Sequence, residues 1–243
     1  MIQDLIKIAI EAGKEILKVY EKDFLIEHKK DESPLTEADK KANEIIINGL
    51  QKFDLPIISE ENKKISYSER KEWNKFFLVD PLDGTKEFVK RNGEFTVNIA
   101  LIENENPVIG VVYAPVLDVV YYSDGKKSYK FVKNQTYELP IKKEKQDILK
   151  VVASKSHFNE ETKKFIEKLN KKYELVNAGS SLKICLVAEG TADIYPRLTP
   201  TMEWDTAAAH AVAKTAKKQI KDLNKKVLEY NKKDLTNPYF VVE

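Results

Sequence analysis

The apolar run Phe76-Phe77-Leu78-Val79 passes directly into Asp80-Pro81-Leu82-Asp83-Gly84-Thr85. Four apolar residues that stop at turn chemistry read as the end of a buried strand, so two carboxylates leave a sheet three residues apart. Pro81 stiffens the segment between them, and Gly84 frees the backbone just beyond. Thr85 brings a hydroxyl to a helix start, where backbone N–H groups lack partners. Hard carboxylate oxygens suit Mg²⁺, and free N–H groups suit a phosphate. A capped turn would also use Asp and Gly, but it does not require a run of this length and order. The combination points to metal-assisted phosphoryl chemistry.

The flanking chain supplies a scaffold for such a site. Residues 2–20 repeat apolar positions at helical spacing. Thr36-Glu37-Ala38-Asp39 opens a second helix, with Ala42, Ile45, Ile46 and Leu50 inward. Pro56-Ile57-Ile58 reads as a short strand running into Ser59-Glu60-Glu61. Strand-like runs at 96–102, 108–113, 119–122 and 128–132, with turns at Asn106-Pro107 and Asp124-Gly125, predict an antiparallel meander. Beyond residue 148 strands and helices alternate: strand 151–153, helix 159–170, strand 175–177, a helix from Ser181, strand-like 192–195, and helix 205–217. The polar run 142–146 is the expected boundary between an α+β domain, 1–145, and an α/β domain, 146–243.

A chain of 243 residues is ample for a buried core. Its 41 Lys and Arg nearly cancel 39 Asp and Glu, which argues against a protein that coats nucleic acid. Cys185, the only cysteine, lies in an apolar run and reads as a small buried hydrophobe. No secretory signal and no apolar stretch of membrane-spanning length is visible, so the cytoplasm is the expected location, with peripheral membrane attachment left open.

Three further acidic stations join the central motif: Glu60 beside Glu61, Asp39, and Asp205 in Trp204-Asp205. Each has an ordinary alternative. The glutamates could be solvated, Asp39 could complete a capping box with Thr36, and Asp205 could be an N-cap. His210 falls five residues after Asp205 and off its helical face, so core placement is expected rather than ligation.

Taken in order, these motifs resemble the inositol monophosphatase superfamily of Mg²⁺-dependent, lithium-sensitive phosphatases. The resemblance is carried by Ser33-Pro34-Leu35-Thr36-Glu37-Ala38-Asp39, Ser59-Glu60-Glu61, the segment from Leu78 to Phe88, and Asn92-Gly93-Glu94-Phe95-Thr96-Val97-Asn98-Ile99-Ala100-Leu101. It continues through Gly110-Val111-Val112-Tyr113-Ala114-Pro115, Gly179-Ser180-Ser181-Leu182-Lys183, Tyr195-Pro196-Arg197 and Trp204-Asp205-Thr206-Ala207-Ala208. Thr-Lys-Glu-Phe, Gly-Ser-Ser-Leu-Lys and Tyr-Pro-Arg are most similar to its bacterial CysQ-type 3′(2′),5′-bisphosphate nucleotidase branch.

The resemblance implies a layered α/β/α/β/α sandwich and roles for matching residues. Glu60, Asp80, Asp83 and Asp205, with the Leu82 carbonyl, would hold two or three Mg²⁺ ions. Asp39 and Thr85 would position and deprotonate the attacking water. The N–H groups of Gly84 and Thr85 would hold the phosphate. His157, Ser180, Lys183, Arg197 and Asp205 would meet the rest of the substrate. The expected reaction is hydrolysis of adenosine 3′,5′-bisphosphate to AMP and phosphate. The rivals are an inositol monophosphatase or fructose-1,6-bisphosphatase with the same metal chemistry, or a non-catalytic phosphonucleotide sensor. The chain departs from the superfamily where Gly is usual: it has Ala213-Lys214-Thr215-Ala216-Lys217-Lys218 and Asn224-Lys225-Lys226. Asn at such a turn can take the left-handed conformation that Gly supplies.

Overall fold

The computed structural model describes residues 1–22, 26–28, 34–62, 64–141, 147–153 and 159–243, with only the backbone of 26–28, 34 and 35. The predicted boundary at 142–146 falls outside them. In chain order the helix α1 (Ile2–Tyr20) leads to a small hairpin, β1 (Ile26–His28) and β2 (Pro34–Thr36), and to α2 (Glu37–Leu50). Strand β3 (Ile57–Ser59), helix α3 (Tyr67–Arg70), strand β4 (Lys75–Asp83) and the short α4 (Thr85–Val89) follow. Then come β5 (Thr96–Glu103), β6 (Asn106–Ala114), β7 (Val119–Ser123), β8 (Ser128–Val132) and β9 (Gln135–Glu138). The remainder alternates: β10 (Leu149–Ala153), α5 (Glu160–Lys168), β11 (Tyr173–Asn177), α6 (Leu182–Glu189), β12 (Tyr195–Arg197), α7 (Glu203–Thr215), β13 (Ile220–Asp222) and β14 (Phe240–Val242).

Side chains alternate across a strand, and here both faces are buried. Phe77, Val79, Ile99, Leu101, Val111 and Tyr113 pack with Leu5, Ile8, Ile16, Ala42 and Ile46 of α1 and α2. Their neighbours Phe76, Leu78, Ala100, Ile102, Val112 and Ala114 pack with Ile184, Val187, Ala208 and Val212 of α6 and α7. That double burial explains why β4 and β5 read as nearly continuous apolar runs. The sheet between them has seven strands in sequential order, β3 to β9; β3 and β4 run parallel and the other pairs antiparallel.

Beyond α6 and α7 lie a parallel pair, β10 with β11, and a three-stranded sheet in the order β12-β14-β13. Helix α5 covers this layer through Ile166 against Val151 and Ile194. The layers therefore run helix, sheet, helix, sheet, helix, as expected. Close packing between the large sheet and α7 depends on Gly110: a Cβ there would lie 2.1 Å from the carbonyl oxygen of Ala208. The Ala-rich face of α7 meets the sheet at that point.

Local expectations differ in five places. The β5–β6 turn is made by Asn104 and Glu105, both at positive φ, while Asn106 and Pro107 already belong to β6. Pro107 is tolerated because the β5–β6 register shifts between Leu101 and Ile102. Strand β9 was not expected; its four residues are all exposed, so no apolar alternation marks them. Helix α7 begins two residues before Asp205, and the extended segment near 192–195 becomes a ladder only from Tyr195. In the Gly-poor C-terminal turns, Lys217 and Lys225 carry the positive φ rather than Asn224. No described helix is long and apolar enough to cross a membrane.

Candidate active site

Three elements deliver carboxylates to one cleft. Glu60 follows the last residue of β3, Asp80 and Asp83 close β4, and Asp205 stands in the first turn of α7. Oxygens of Glu60, Asp80 and Asp205 all lie within 4.8 Å of one another. Asp83 is outside this trio but lines the same cleft, whose volume is about 390 Å³. The β4–β5 register shifts between Asp80, which pairs with Asn98, and Asp83, which pairs with Thr96, so the irregular residues are Pro81 and Leu82 between the two carboxylates.

The trio would repel itself without a cation. Burial, and the neighbouring carboxylates of Asp83 and Glu60, hold Asp205 well above the usual carboxylate range. Asp205 nevertheless accepts the backbone N–H of Met202 at 2.8 Å, so its N-terminal capping role and its place in the cluster coexist. A convergent set of hard oxygen donors, with Asp80 buried and Glu60 and Asp205 half-buried, fits Mg²⁺ or a similar divalent cation. Leu82 is aligned from within the motif: its N–H donates to Asp80 Oδ1 at 3.1 Å, and its carbonyl accepts the Thr85 hydroxyl at 3.3 Å.

Asp39 likewise has two roles. It completes the capping box of α2, accepting both the N–H and the hydroxyl of Thr36 on Oδ2. Its other oxygen, Oδ1, accepts from Thr85 Oγ1 at 3.3 Å. Asp39 is buried and does not line the cleft, whereas Thr85 does. Gly84 takes positive φ at the cap of α4. The carbonyl of Gly84 engages the N–H groups of Glu87 and Phe88, and those of Gly84 and Thr85 stay at the cleft edge. With five residues, α4 offers these two amides rather than a long helix dipole.

Basic groups line the same cleft as the carboxylates. Lys183 is buried, donates to the Ser180 carbonyl at 2.7 Å and lies over the Tyr195 ring. Burial, helped by Arg197, lowers the Lys183 ammonium to about 8 despite Asp83, Glu87 and Glu94 nearby. Arg197 donates to the Pro200 carbonyl at 3.3 Å, and its buried Nε has no partner among the described residues. The buried Ser180 hydroxyl also has none, and Ser180 is held at φ 46°. His157 lies outside the described residues.

His210 is where its position on α7 predicts, away from the cleft. It is buried, with Nδ1 2.8 Å from the Tyr230 hydroxyl, and burial lowers its pKa to about 3. Cys185 is fully buried in the core, and burial pushes its thiol up.

Sequence reading missed three residues. Ser181 meets Asp83 through both its backbone N–H and its hydroxyl. Asn98 reaches both Asp83 and Ser181. Glu203, wholly buried, accepts the N–H groups of Asn231 and Lys232 and the Lys232 ammonium, which fixes the start of α7. Ser181 and Asn98 stand inside the quoted motifs, but nothing in one sequence distinguishes them from their neighbours.

The inositol monophosphatase family matches this chain over residues 1–242. Over 247 aligned residues the chain is 43% identical to the 3′(2′),5′-bisphosphate nucleotidase CysQ of Salmonella typhimurium, spanning all of this chain and 99% of that protein. Its identity to the CysQ nucleotidase of Escherichia coli K12 is 42%, with the same coverage. The crystal structure of CysQ from Bacteroides thetaiotaomicron, a bacterial member of the inositol monophosphatase family, superimposes with a TM-score of 0.90 at 44% identity, covering 99% of this chain and 96% of that one.

Proposed function

The chain belongs to the inositol monophosphatase family, and we propose that it hydrolyses the 3′-phosphate of adenosine 3′,5′-bisphosphate to give AMP and phosphate. It is a 3′(2′),5′-bisphosphate nucleotidase, the activity by which its full-length relatives at 42–43% identity are named. The polarity of the cleft supports this most directly. Beside the converging carboxylates the same cleft is lined by Lys183, Arg197 and Ser180, and Ser180 Oγ and Arg197 Nε have no partner among the described residues, which leaves donors for a second anion. A monophosphate would leave those donors unused, and leaving buried donors unpaired costs about 1–3 kcal/mol each.

Glu60, Asp80, Asp83, Asp205 and the Leu82 carbonyl would hold two or three Mg²⁺ ions. When bound, they supply charge neutralisation at the phosphoryl oxygens and lower the pKa of the attacking water. Thr85 orients that water through its hydroxyl and passes a proton toward Asp39, whose carboxylate is kept in place by Thr36. The N–H groups of Gly84 and Thr85 hold the oxygens of the scissile phosphate. Lys183, Arg197 and Ser180 take the 5′-phosphate, and Asp205 adds a substrate contact; the family resemblance implies that His157, which lies outside the described residues, would contact phosphate or stack near the base. Lithium sensitivity and a cytoplasmic location go with this reading, as does clearance of a nucleotide by-product of sulfate activation.

Phosphate release with Mg²⁺ tests the assignment, using adenosine 3′,5′-bisphosphate, inositol 1-phosphate and fructose 1,6-bisphosphate, with and without lithium. The nucleotide is expected to give the highest kcat/KM, suppressed by lithium. A preference for either of the others would move the substrate and keep the chemistry. No turnover of any would leave a binding protein.

A further inference from the structure

Asp83 lines the cleft outside the carboxylate trio, as Glu87 does, and its side chain is held from another part of the chain. Oδ2 accepts the backbone N–H of Ser181 at 2.6 Å, the hydroxyl of Ser181 at 2.7 Å and the amide of Asn98 at 3.4 Å. Oδ1 has no hydrogen bond among the described residues and is the oxygen that remains for a cation.

The donors have a fixed polarity. Asn98 is buried and accepts the Thr96 hydroxyl on Oδ1 at 3.1 Å. Its NH₂ group must therefore face Asp83 and Ser181, where it donates to Ser181 Oγ at 2.7 Å. That occupies one lone pair of the serine, so the single hydroxyl proton of Ser181 is left to donate. Two acceptors are in reach: Asp83 Oδ2, and the Asp205 carbonyl at 2.9 Å. The charged acceptor is the stronger of the two. Thr96, Asn98, Ser181 and Asp83 thus form one directed chain that joins β5, the end of β4 and the start of α6, beside the first turn of α7.

We propose that Asn98 and Ser181 are positioning residues for the metal centre: they saturate Oδ2 of Asp83 and so turn Oδ1 toward a divalent cation. Asp83 stands at the last residue of β4, just past the register shift, and the partners of its side chain among the described residues come from Ser181 and Asn98 rather than from its own strand. Ser181 also places it relative to Asp205, because the same oxygen lies beside both residues. Hydrogen-bond partners behind a metal ligand typically account for about 10–100-fold in metal affinity or activity. The inference rests on the metal-binding reading of the cleft.

The test is calorimetric titration of chelator-stripped protein with Mg²⁺ alone, without substrate, for the wild type, Asn98→Leu, Ser181→Ala, Ser181→Thr and the Asn98→Leu/Ser181→Ala double variant. At least one Mg²⁺ site is expected to weaken about 10-fold or more in Ser181→Ala and Asn98→Leu. Ser181→Thr, which keeps the hydroxyl, should stay near the wild type. The double variant should be little worse than the weaker single one, since both break one chain. A merely structural role would lower the metal-free melting temperature and leave Mg²⁺ affinity intact below it. Affinity within twofold of the wild type in both folded single variants would overturn the proposal while leaving the metal reading in place. If Asn98→Leu does not fold, Ser181→Ala decides, because it removes a single oxygen. A wild type that binds no Mg²⁺ would remove the metal reading and the relay together.

Discussion

Thr85 Oγ1 lies 3.3 Å from Asp39 Oδ1, while the other oxygen of that carboxylate accepts Thr36 N–H at 2.8 Å and the Thr36 hydroxyl at 2.6 Å. Asp39 therefore has one oxygen for the fold and one for Thr85. In Asp39→Asn the remaining oxygen must serve the two Thr36 donors, which turns the new NH₂ toward the Thr85 hydroxyl. The cap survives and the proton acceptor is lost. Turnover should fall about 10²–10⁴-fold, the usual worth of a positioned base, with KM changed only a few-fold. Thr85→Ala should lose a similar factor, and Thr85→Ser should recover most of it. Steady-state kinetics on the bisphosphate nucleotide decide. Full turnover by Asp39→Asn would end the relay.

Gly110 couples the sheet to the site. Adding a Cβ 2.1 Å from the Ala208 carbonyl forces β6 and α7 apart, because the obstructing atom is backbone and cannot rotate away. Overpacking of this kind costs roughly 1–3 kcal/mol or more. At this chain length each kcal/mol shifts the melting temperature by about 2–4 °C. Gly110→Ala should therefore melt several degrees lower. Its kcat/KM should also fall at temperatures where it is folded, since α7 carries Asp205. Unchanged melting would mean that α7 does not lie so close to the sheet.

How much was legible depends on what kind of signal a residue carries. The acidic stations at Glu60, Asp80, Asp83 and Asp205 are read from strand ends and helix starts, and the fold delivers all four to one cleft. The large sheet was legible because its apolar runs are dense. Strand β9 was not, because all four of its residues are exposed. Asn98 and Ser181 were invisible as partners for a different reason. They are 83 positions apart, and a hydroxyl or amide has no local pattern that tells which carboxylate it will meet. Asp39 shows the reverse case: the capping reading holds on Oδ2, and it leaves Oδ1 to accept from Thr85, the contact on which the proposed catalytic role rests.

The C-terminal turn offers a gain in stability away from the cleft. Lys225 holds φ 70° in a tight turn in which its N–H donates to the Asp222 carbonyl at 3.0 Å. Left-handed backbone costs a non-glycine residue roughly 1–2 kcal/mol, and glycine returns about 0.5–1 kcal/mol of that through its freer unfolded chain. Lys225→Gly should therefore stabilise by about 0.5–1 kcal/mol, read as a melting temperature higher by a degree or more with kinetics unchanged. A lower melting temperature would show that the lysine stem packs usefully on the turn.

Lys183 should set the alkaline limit of activity. Burial lowers its ammonium to about 8 from an ordinary value of 10.5. The sign follows for folding and for binding. Between about 8 and 10.5 the unfolded chain holds the proton and the folded chain does not, so this residue makes stability rise with pH across that window. Below it, the folded protein carries a buried cation whose cost an anionic substrate offsets. Substrate binding runs the other way, because only the protonated form attracts the second phosphate. The kcat/KM of the free enzyme for the bisphosphate nucleotide should therefore decline above about pH 8. The decline should appear mainly in KM and should be weaker for inositol 1-phosphate, which has no second phosphate. Lys183→Arg keeps its charge throughout and should flatten the alkaline limb, provided the guanidinium is accommodated beside Tyr195. Lys183→Met should raise KM for the nucleotide at neutral pH to the level the wild type reaches at high pH. If the alkaline limb persists unchanged in both variants, another group titrates there, and Lys183 does not bind the second phosphate.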